Sequence, residues 1–242
     1  MAKIHMVLQG KGGVGKSVAS SLIAQYKWSK GSKPLCIDTD PVNPTFCGYK
    51  ALDVKRVKIM DNDEINTRNF DAMIEMIAGS EDDVVIDNGS PSFVPLSHYL
   101  ISNQVPELLK DMGHQLVVHT VVTGGQALLD TINGFAQLIS QFPEECIFVV
   151  WLNPYWGAIE HEGKGFEQMK AYLANKNRIS ALVHMPQLKD ETYGRDFADM
   201  LQDRLTFEEA LSDSSRTIMT RQRLKIVKSQ IFGQLENVAV LE

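Results

Sequence analysis

Gln9-Gly10-Lys11-Gly12-Gly13-Val14-Gly15-Lys16-Ser17 follows the apolar run Ile4 to Leu8 and leads into a helical stretch, Val18 to Trp28. These residues carry the G-x-x-x-x-G-K-[ST] spacing between a strand and a helix, the context that spacing needs. Residues without a Cβ let successive backbone N–H groups turn inward around a phosphate, and the helix N-terminus adds positive potential. In such a loop Lys16 reaches the β- and γ-phosphates and Ser17 ligates Mg²⁺. Gly10, Gly12, Gly13, Val14, Gly15, Lys16 and Ser17 are therefore the candidate phosphate-site residues.

Working outward, short apolar runs alternate with longer helical patterns, as a parallel sheet with helical crossovers reads. Strands are predicted at Ile4 to Leu8, Leu35 to Asp38, Val84 to Asp87, Leu116 to Val122, Ile147 to Leu152 and Ile179 to His184. Helices are predicted at Ser17 to Trp28, Ile65 to Ala78, Glu107 to Met112, Gln126 to Gln141, Phe166 to Ala174 and Phe197 to Arg204, with a long one over Ser214 to Leu235. The strands are apolar throughout, which buries both faces of the sheet. The reading is α/β: a doubly wound, mostly parallel sheet flanked by helices, in one domain over residues 1–242.

The formal net charge of -6 excludes a surface that is basic as a whole, so DNA contact would need a local patch. No apolar run approaches the roughly 18 residues of a membrane span, and the opening residues read as a strand rather than a signal peptide, which predicts a cytoplasmic address. Cys36, Cys47 and Cys146 lack the paired spacing of a zinc or iron–sulfur site and read as reduced, partly buried residues.

Lys11 is a second lysine inside the loop, and with it the residues resemble the deviant Walker A signature, K-G-G-x-G-K-[ST], of the ParA/MinD family of ATPases. In that family the extra lysine reaches across a dimer interface to the partner's nucleotide, so the resemblance implies an ATP-dependent sandwich dimer. Asp38-Thr39-Asp40-Pro41 resembles the family's D-x-D-P switch. That likeness implies a water-positioning role for Asp40 and a metal-side role for Asp38. Asp87, closing Val84-Val85-Ile86, resembles the acid that holds Mg²⁺ through water. Asn153, after Trp151-Leu152, resembles the adenine-reading residue, and Met185-Pro186 the segment that closes over the base; the guanine-reading N-K-x-D pattern is missing there. Implied catalytic residues are Lys11, Lys16 and Asp40, and implied metal-side residues are Ser17, Asp38 and Asp87. Implied base-side residues are Asn153 and Pro186, and the implied cofactors are ATP and Mg²⁺. The chain departs from the partition members in placing Asn43 three residues after Asp40 rather than four, and in following Asp87 with Asn88-Gly89-Ser90.

Other features carry less chemistry. His161-Glu162 lacks the second histidine of a metal motif, since Gly stands at position 165, and reads as a surface loop. His5, His119 and His184 fall in strand patterns and read as core-adjacent. Tyr155-Trp156 reads as a loop packed on the body, with a nucleotide cap or partner dock as alternatives. Between Asp213 and Ile231 five basic residues, Arg216, Arg221, Arg223, Lys225 and Lys228, stand against one acid, while Leu224, Val227, Ile231 and Leu235 share one helix face. That helix is read as packed on the sheet with its cations solvated. Non-specific DNA contact and membrane-surface attachment are the alternatives, the membrane being less favoured because Gly233 to Glu242 has two acids and no base.

The whole chain resembles the TraL group of broad-host-range conjugative plasmids, through Asp38 to Asn43, Phe93 to Leu100, Val121 to Gln126 and Trp151 to Gly157. The resemblance implies an ATPase that acts as a dimer-gated switch in DNA transfer by type IV secretion or in positioning of DNA or protein. Its implied partners are a second copy of the chain in the ATP state and a conjugation protein. A small-molecule ligase or amidase of the same superfamily is the alternative. Lys16, Ser17 and Asn153 together predict binding of Mg-ATP in preference to GTP; a competition assay in which the two displace a labelled ATP equally would remove the base-reading role.

Overall fold

The computed structural model describes residues 2–241 of the 242-residue chain. The strands in chain order are β1 (Lys3–Val7), β2 (Leu35–Asp38), β3 (Lys55–Arg56), β4 (Met60–Asp61), β5 (Glu64–Ile65), β6 (Val84–Asp87), β7 (Gln115–Thr123), β8 (Ile147–Asn153), β9 (Glu160–His161), β10 (Lys164–Gly165) and β11 (Ile179–His184). The helices are α1 (Lys16–Ser29), α2 (Asp71–Ala78), α3 (Phe93–Ser102), α4 (Val105–Asp111), α5 (Leu128–Gln141), α6 (Lys170–Asn175), α7 (Arg195–Gln202), α8 (Phe207–Ser212) and α9 (Ile218–Leu235).

Seven strands form one parallel sheet in the order β11-β8-β7-β1-β6-β2-β3. β1 lies between β6 and β7, so its two faces and both edges are covered. Side chains alternate between two cores. Ile4, Met6, Val84, Ile86, Val118 and Phe148 pack with α2 to α5 on one face. Val7, Val85, Val117, Val149 and Trp151 pack with α1, α7, α8 and α9 on the other. Because both faces are buried, the strands read as unbroken apolar runs.

Differences from the sequence reading have local causes. The predicted helix from Ile65 begins only at Asp71, because Asn62 and Asp63 adopt positive φ in the β4–β5 hairpin and the Asn66 side chain caps a 3₁₀ turn at Thr67–Phe70. α3 was not predicted; Pro95 sits in its first turn, where a missing N–H costs nothing. α8 was also missed, although Thr206 and Glu209 form a capping box, the T-x-x-E signature of a helix start. β9 and β10 place His161 in an exposed hairpin. The α9 face Leu224, Val227, Ile231 and Leu235 is buried as expected.

Two of the three strand histidines are fully buried, whereas His184, expected beside the core, is exposed on the outermost strand β11. The buried pair has a fixed proton order. The Trp151 indole N–H donates to His119 Nδ1 at 3.0 Å, and an indole can only donate. His119 therefore carries its proton on Nε2 and gives it to His5 Nδ1, also 3.0 Å away, leaving the proton of His5 on Nε2, which has no partner. Burial first, and then the charge of Lys27, drives His119 down to about 3; burial, His119 and Lys27 hold His5 well below its ordinary value. Lys27 is itself anchored, 2.6 Å from Asp83 and 3.2 Å from the Leu241 carbonyl, which ties α1 to the chain end.

Unfolded histidines protonate near pH 6.5, so below that value the unfolded state binds more protons than the folded one. The stabilising contribution of the pair is complete above pH 6.5 and falls as the pH drops, by about 1.4 kcal/mol per pH unit for each ring. Imidazole nitrogen NMR shifts at pH 5 are expected to remain those of neutral rings; protonated rings in a folded chain at that pH would contradict the arrangement.

Candidate functional site

The glycine loop leaves the carboxyl end of β1, where strands run outward to β6 on one side and β7 on the other. This is the switch point at which open α/β sheets bind ligands. Gly13 and Gly15 adopt φ of +73° and +103°, which a side chain would strain. Gly10 lies close under the Phe93 ring, where a Cβ would stand 3.0 Å away and press on it. Lys16 is buried in the first turn of α1, and its Nζ donates to the Lys11 carbonyl (3.0 Å) and Ser90 Oγ (2.7 Å). Burial lowers its pKa, against the opposing pull of Asp87 and Asp40.

The acids expected to serve metal and water gather opposite this lysine. Asp87 ends β6 fully buried; Oδ1 accepts from Ser20 Oγ at 2.9 Å, and Oδ2 has no protein partner. Loss of hydration pushes its pKa up to about 7, with the nearby Ser17 and Ser20 hydroxyls and Lys16 pulling the other way and Asp38 adding to the rise. Among the described residues no group of three His, Cys, Asp or Glu could hold a metal alone. A buried carboxylate oxygen without a partner beside a serine hydroxyl fits Mg²⁺, which keeps waters and uses few protein ligands.

Asp38 and Asp40 do different work from one another. Asp38 accepts the Asp40 N–H (2.9 Å) through one oxygen and the Cys47 N–H (3.0 Å) through the other, so its carboxylate fastens the following loop. Burial raises its pKa while these N–H groups lower it. Asp40 accepts from the N–H groups of Val42 and Asn43 in a tight turn and lies against Gly89 of the loop after β6. Lys11 projects outward, paired with Asp130 at 2.7 Å, both exposed.

A cavity of about 890 Å³ adjoins the loop, bordered by Gly13, Gly15, Asn153, Tyr155, Met185 and Pro186 among others. Asn153 and Pro186 thus meet at the position expected for a base. Asn153 is also tied to the loop, its amide nitrogen donating to the Val14 carbonyl at 2.9 Å and its oxygen accepting the Tyr155 N–H at 3.2 Å. The Tyr155-Trp156 loop packs its backbone against Gly124 and Gly125, while both side chains stay exposed, edge to face 4.9 Å apart.

Sequence reasoning missed several residues that hold this arrangement. Ser90 receives the Lys16 amine, and Ser20 reaches Asp87 from the next turn of α1. Gln9, buried below the loop, donates to the carbonyls of Val121 and Thr131. Only Ser20 was marked locally, as a hydroxyl three residues beyond Ser17; the others depend on which loops meet. The three cysteines are free, and burial pushes Cys36 and Cys146 up to about 12, which leaves them as thiols. The basic stretch of α9 and the turn before it is largely paired with neighbours: Arg216 meets Asp203, Arg223 meets Asp196 and Lys228 meets Glu208. Among the described residues, only Arg221 and Lys225 of the five cations form no ion pair.

Sheet order and loop together define a P-loop fold of the ParA/MinD type. The MinC:MinD cell division complex of Aquifex aeolicus superposes with a TM-score of 0.55 over 96% of both chains at 14% identity. A Borrelia burgdorferi B31 plasmid partition protein bound to AMPPNP superposes with a TM-score of 0.50 over 98% of this chain and 99% of its own, also at 14% identity. No protein-family model matches the sequence. A curated relative, Protein TraL of Escherichia coli, is 78% identical over 241 residues, 100% of both chains, and the chain belongs to the TraL family.

The contact between Gly89 and Asp40 is open to direct test. A Cβ at position 89 would lie 2.5 Å from Asp40 Cγ, too close for either group to stay in place. Gly89→Ala is expected to lower unfolding stability by about 1–3 kcal/mol in urea. Adding Asp40→Ala clears the space and should restore part of that loss; full additivity would show that the two residues are not coupled.

Proposed function

We propose that the chain binds and hydrolyses Mg-ATP as a dimer-gated switch and serves plasmid conjugative transfer by type IV secretion, or the positioning of DNA or protein that accompanies it. The observation that carries this reading is the convergence of Lys16 on the mouth of a glycine loop, facing the buried Asp87 across Ser17 and Ser20. A triphosphate would take the Lys16 amine away from Ser90 and the Lys11 carbonyl, replacing two neutral acceptors with charged ones. Ser17 and Asp87 would hold Mg²⁺, with Asp38 behind them, and the ion would neutralise charge on the phosphates. Asp40 would position the attacking water, and Asn153 and Pro186 would meet the adenine. The AMPPNP in the Borrelia partition protein supports the nucleotide part of the reading, and the 78% identity to Protein TraL of Escherichia coli supports the transfer part.

Dimer gating rests on the surface around the loop. Exposed ion pairs contribute about 0–1 kcal/mol, so Lys11 leaves Asp130 at little cost when a partner's phosphate is available. Val42, Val94, Leu129 and Trp156 are exposed apolar side chains on segments that follow the carboxyl ends of β2, β6, β7 and β8, the end of the sheet that carries the loop. Partner copies covering them would bury both nucleotides.

Two variants separate chemistry from association. Asp40→Ala is expected to bind ATP and dimerise while hydrolysing it slower by orders of magnitude, since phosphoryl transfer depends on a positioned nucleophile. Lys11→Ala is expected to bind ATP through Lys16 and the loop amides yet remain monomeric. Size-exclusion chromatography with light scattering in ATP and in ADP reads the difference, and identical oligomeric states for the two variants in ATP would refute the division of roles.

A further inference from the structure

We infer that Trp156 is a positioning residue for the phosphate site: its indole N–H, fastened to the Gly13 carbonyl, sets the direction of the Val14 N–H that a phosphate would meet. The inference rests on the nucleotide reading given above and assigns a part in it to a residue outside the loop.

The argument is one of peptide geometry. In a trans peptide the C=O of one residue and the N–H of the next point in opposite directions from a shared plane. The Trp156 Nε1–H donates to the Gly13 carbonyl at 3.1 Å, and the Asn153 amide donates to the Val14 carbonyl at 2.9 Å. The Gly15 carbonyl is taken by the Ala19 N–H at 2.9 Å as α1 begins. Three successive carbonyls are thus drawn away from the cradle, and the N–H groups of Val14, Gly15 and Lys16 are turned into it. Gly13, with φ +73° and open space where a side chain would stand, brings no packing of its own to this peptide. Among the described residues, Trp156 is the side chain that hydrogen-bonds its carbonyl, while buried Val14 fixes the other half of the unit.

The strut has a rigid footing. A Cβ on Gly125 would stand 2.5 Å from the Trp156 carbonyl oxygen, and one on Gly124 would stand 2.1 Å from the Gly157 carbonyl oxygen. Pro154–Trp156 forms a 3₁₀ turn closed by Gly157, so the segment after β8 is wedged against the turn after β7. Asn153, Tyr155 and Gly157 border the cavity beside the loop, which makes this one segment the wall of the base site and the brace of the phosphate site. Trp156 is 56% exposed, so its size contributes little to the core and its hydrogen bond is its main contact with the loop.

Trp156→Phe keeps the ring and removes the donor. Binding of Mg-ATP and of Mg-tripolyphosphate, which has no base, is measured by calorimetry on the full chain, with thermal melting as the control for folding. Loss of one neutral hydrogen bond predicts an affinity lower by roughly three- to tenfold, by the same factor for both ligands. Gly125→Ala, which displaces the Trp156 carbonyl instead, is expected to give the same parallel loss. If Trp156→Phe weakens ATP and leaves tripolyphosphate unchanged, Trp156 contacts the base and the inference is overturned; if neither ligand is affected, it is overturned too. A wild-type chain that binds neither ligand removes the nucleotide reading itself.

Discussion

Every peptide unit in the glycine loop has two ends, and presenting its N–H to a common point requires something else to accept its carbonyl. The rest of the structure is arranged around that requirement. β1 is held between β6 and β7 so that the loop emerges where segments from several strands can reach it. Lys16 takes the Lys11 carbonyl, Trp156 that of Gly13, Asn153 that of Val14 and the first turn of α1 that of Gly15. A buried or ligand-facing carbonyl left unpaired costs about 1–3 kcal/mol, comparable to a large fraction of the margin by which a domain is stable. The cradle is therefore a property of the loop, the first turn of α1 and the distant segment after β8 together rather than of nine consecutive residues.

Charge is placed with similar economy. Lys16 and Asp87 are both withdrawn from water, and each is shifted toward its neutral form by that withdrawal. Their mutual attraction opposes the shift, and the hydroxyls of Ser17 and Ser20 ease the acid further. The Asp87 oxygen left without a partner is a place where a cation gains more than it would in water, because little else competes for it. Asp38, opposite Asp87 on the neighbouring strand, uses its hydrogen-bonding capacity on the loop that carries Asp40, so the position of the second acid is set by the first.

Outside this centre the Lys27–Asp83 pair is buried and fixed, whereas the pairs at the surface are loosely held. Lys11 and Asp130 form an exposed pair at the mouth of the loop, and the cations of α9 are spread among carboxylates on α7, α8 and the intervening turns. The contrast is physical: pairs in high dielectric are readily exchanged for other partners, whereas the buried set around Asp87 is not. No described helix is long and apolar enough to cross a membrane.

The amino-acid sequence by itself determined six of the sheet's seven strands, the loop and the acids near it; the short, exposed edge strand β3 carries no apolar run to mark it. Short, β-branched apolar runs such as Val84 to Ile86, closed by turn residues, read as doubly covered strands, and the glycine spacing before Lys16 has few other uses. Turn chemistry at Asn62, Asp63 and Asn66 shortened one helix in a way that periodicity does not register, and Pro95 concealed another. Tertiary structure alone decided that Asn153 braces the loop as well as bordering the base cavity, that Ser90 faces Lys16 and that α9 is mostly neutralised. These facts depend on contacts between residues 13 to 143 positions apart, such as Trp156 with Gly13 and Arg216 with Asp203. Sequence separation of that kind leaves no local pattern, because the side chains share nothing but the point in space to which the sheet brings them.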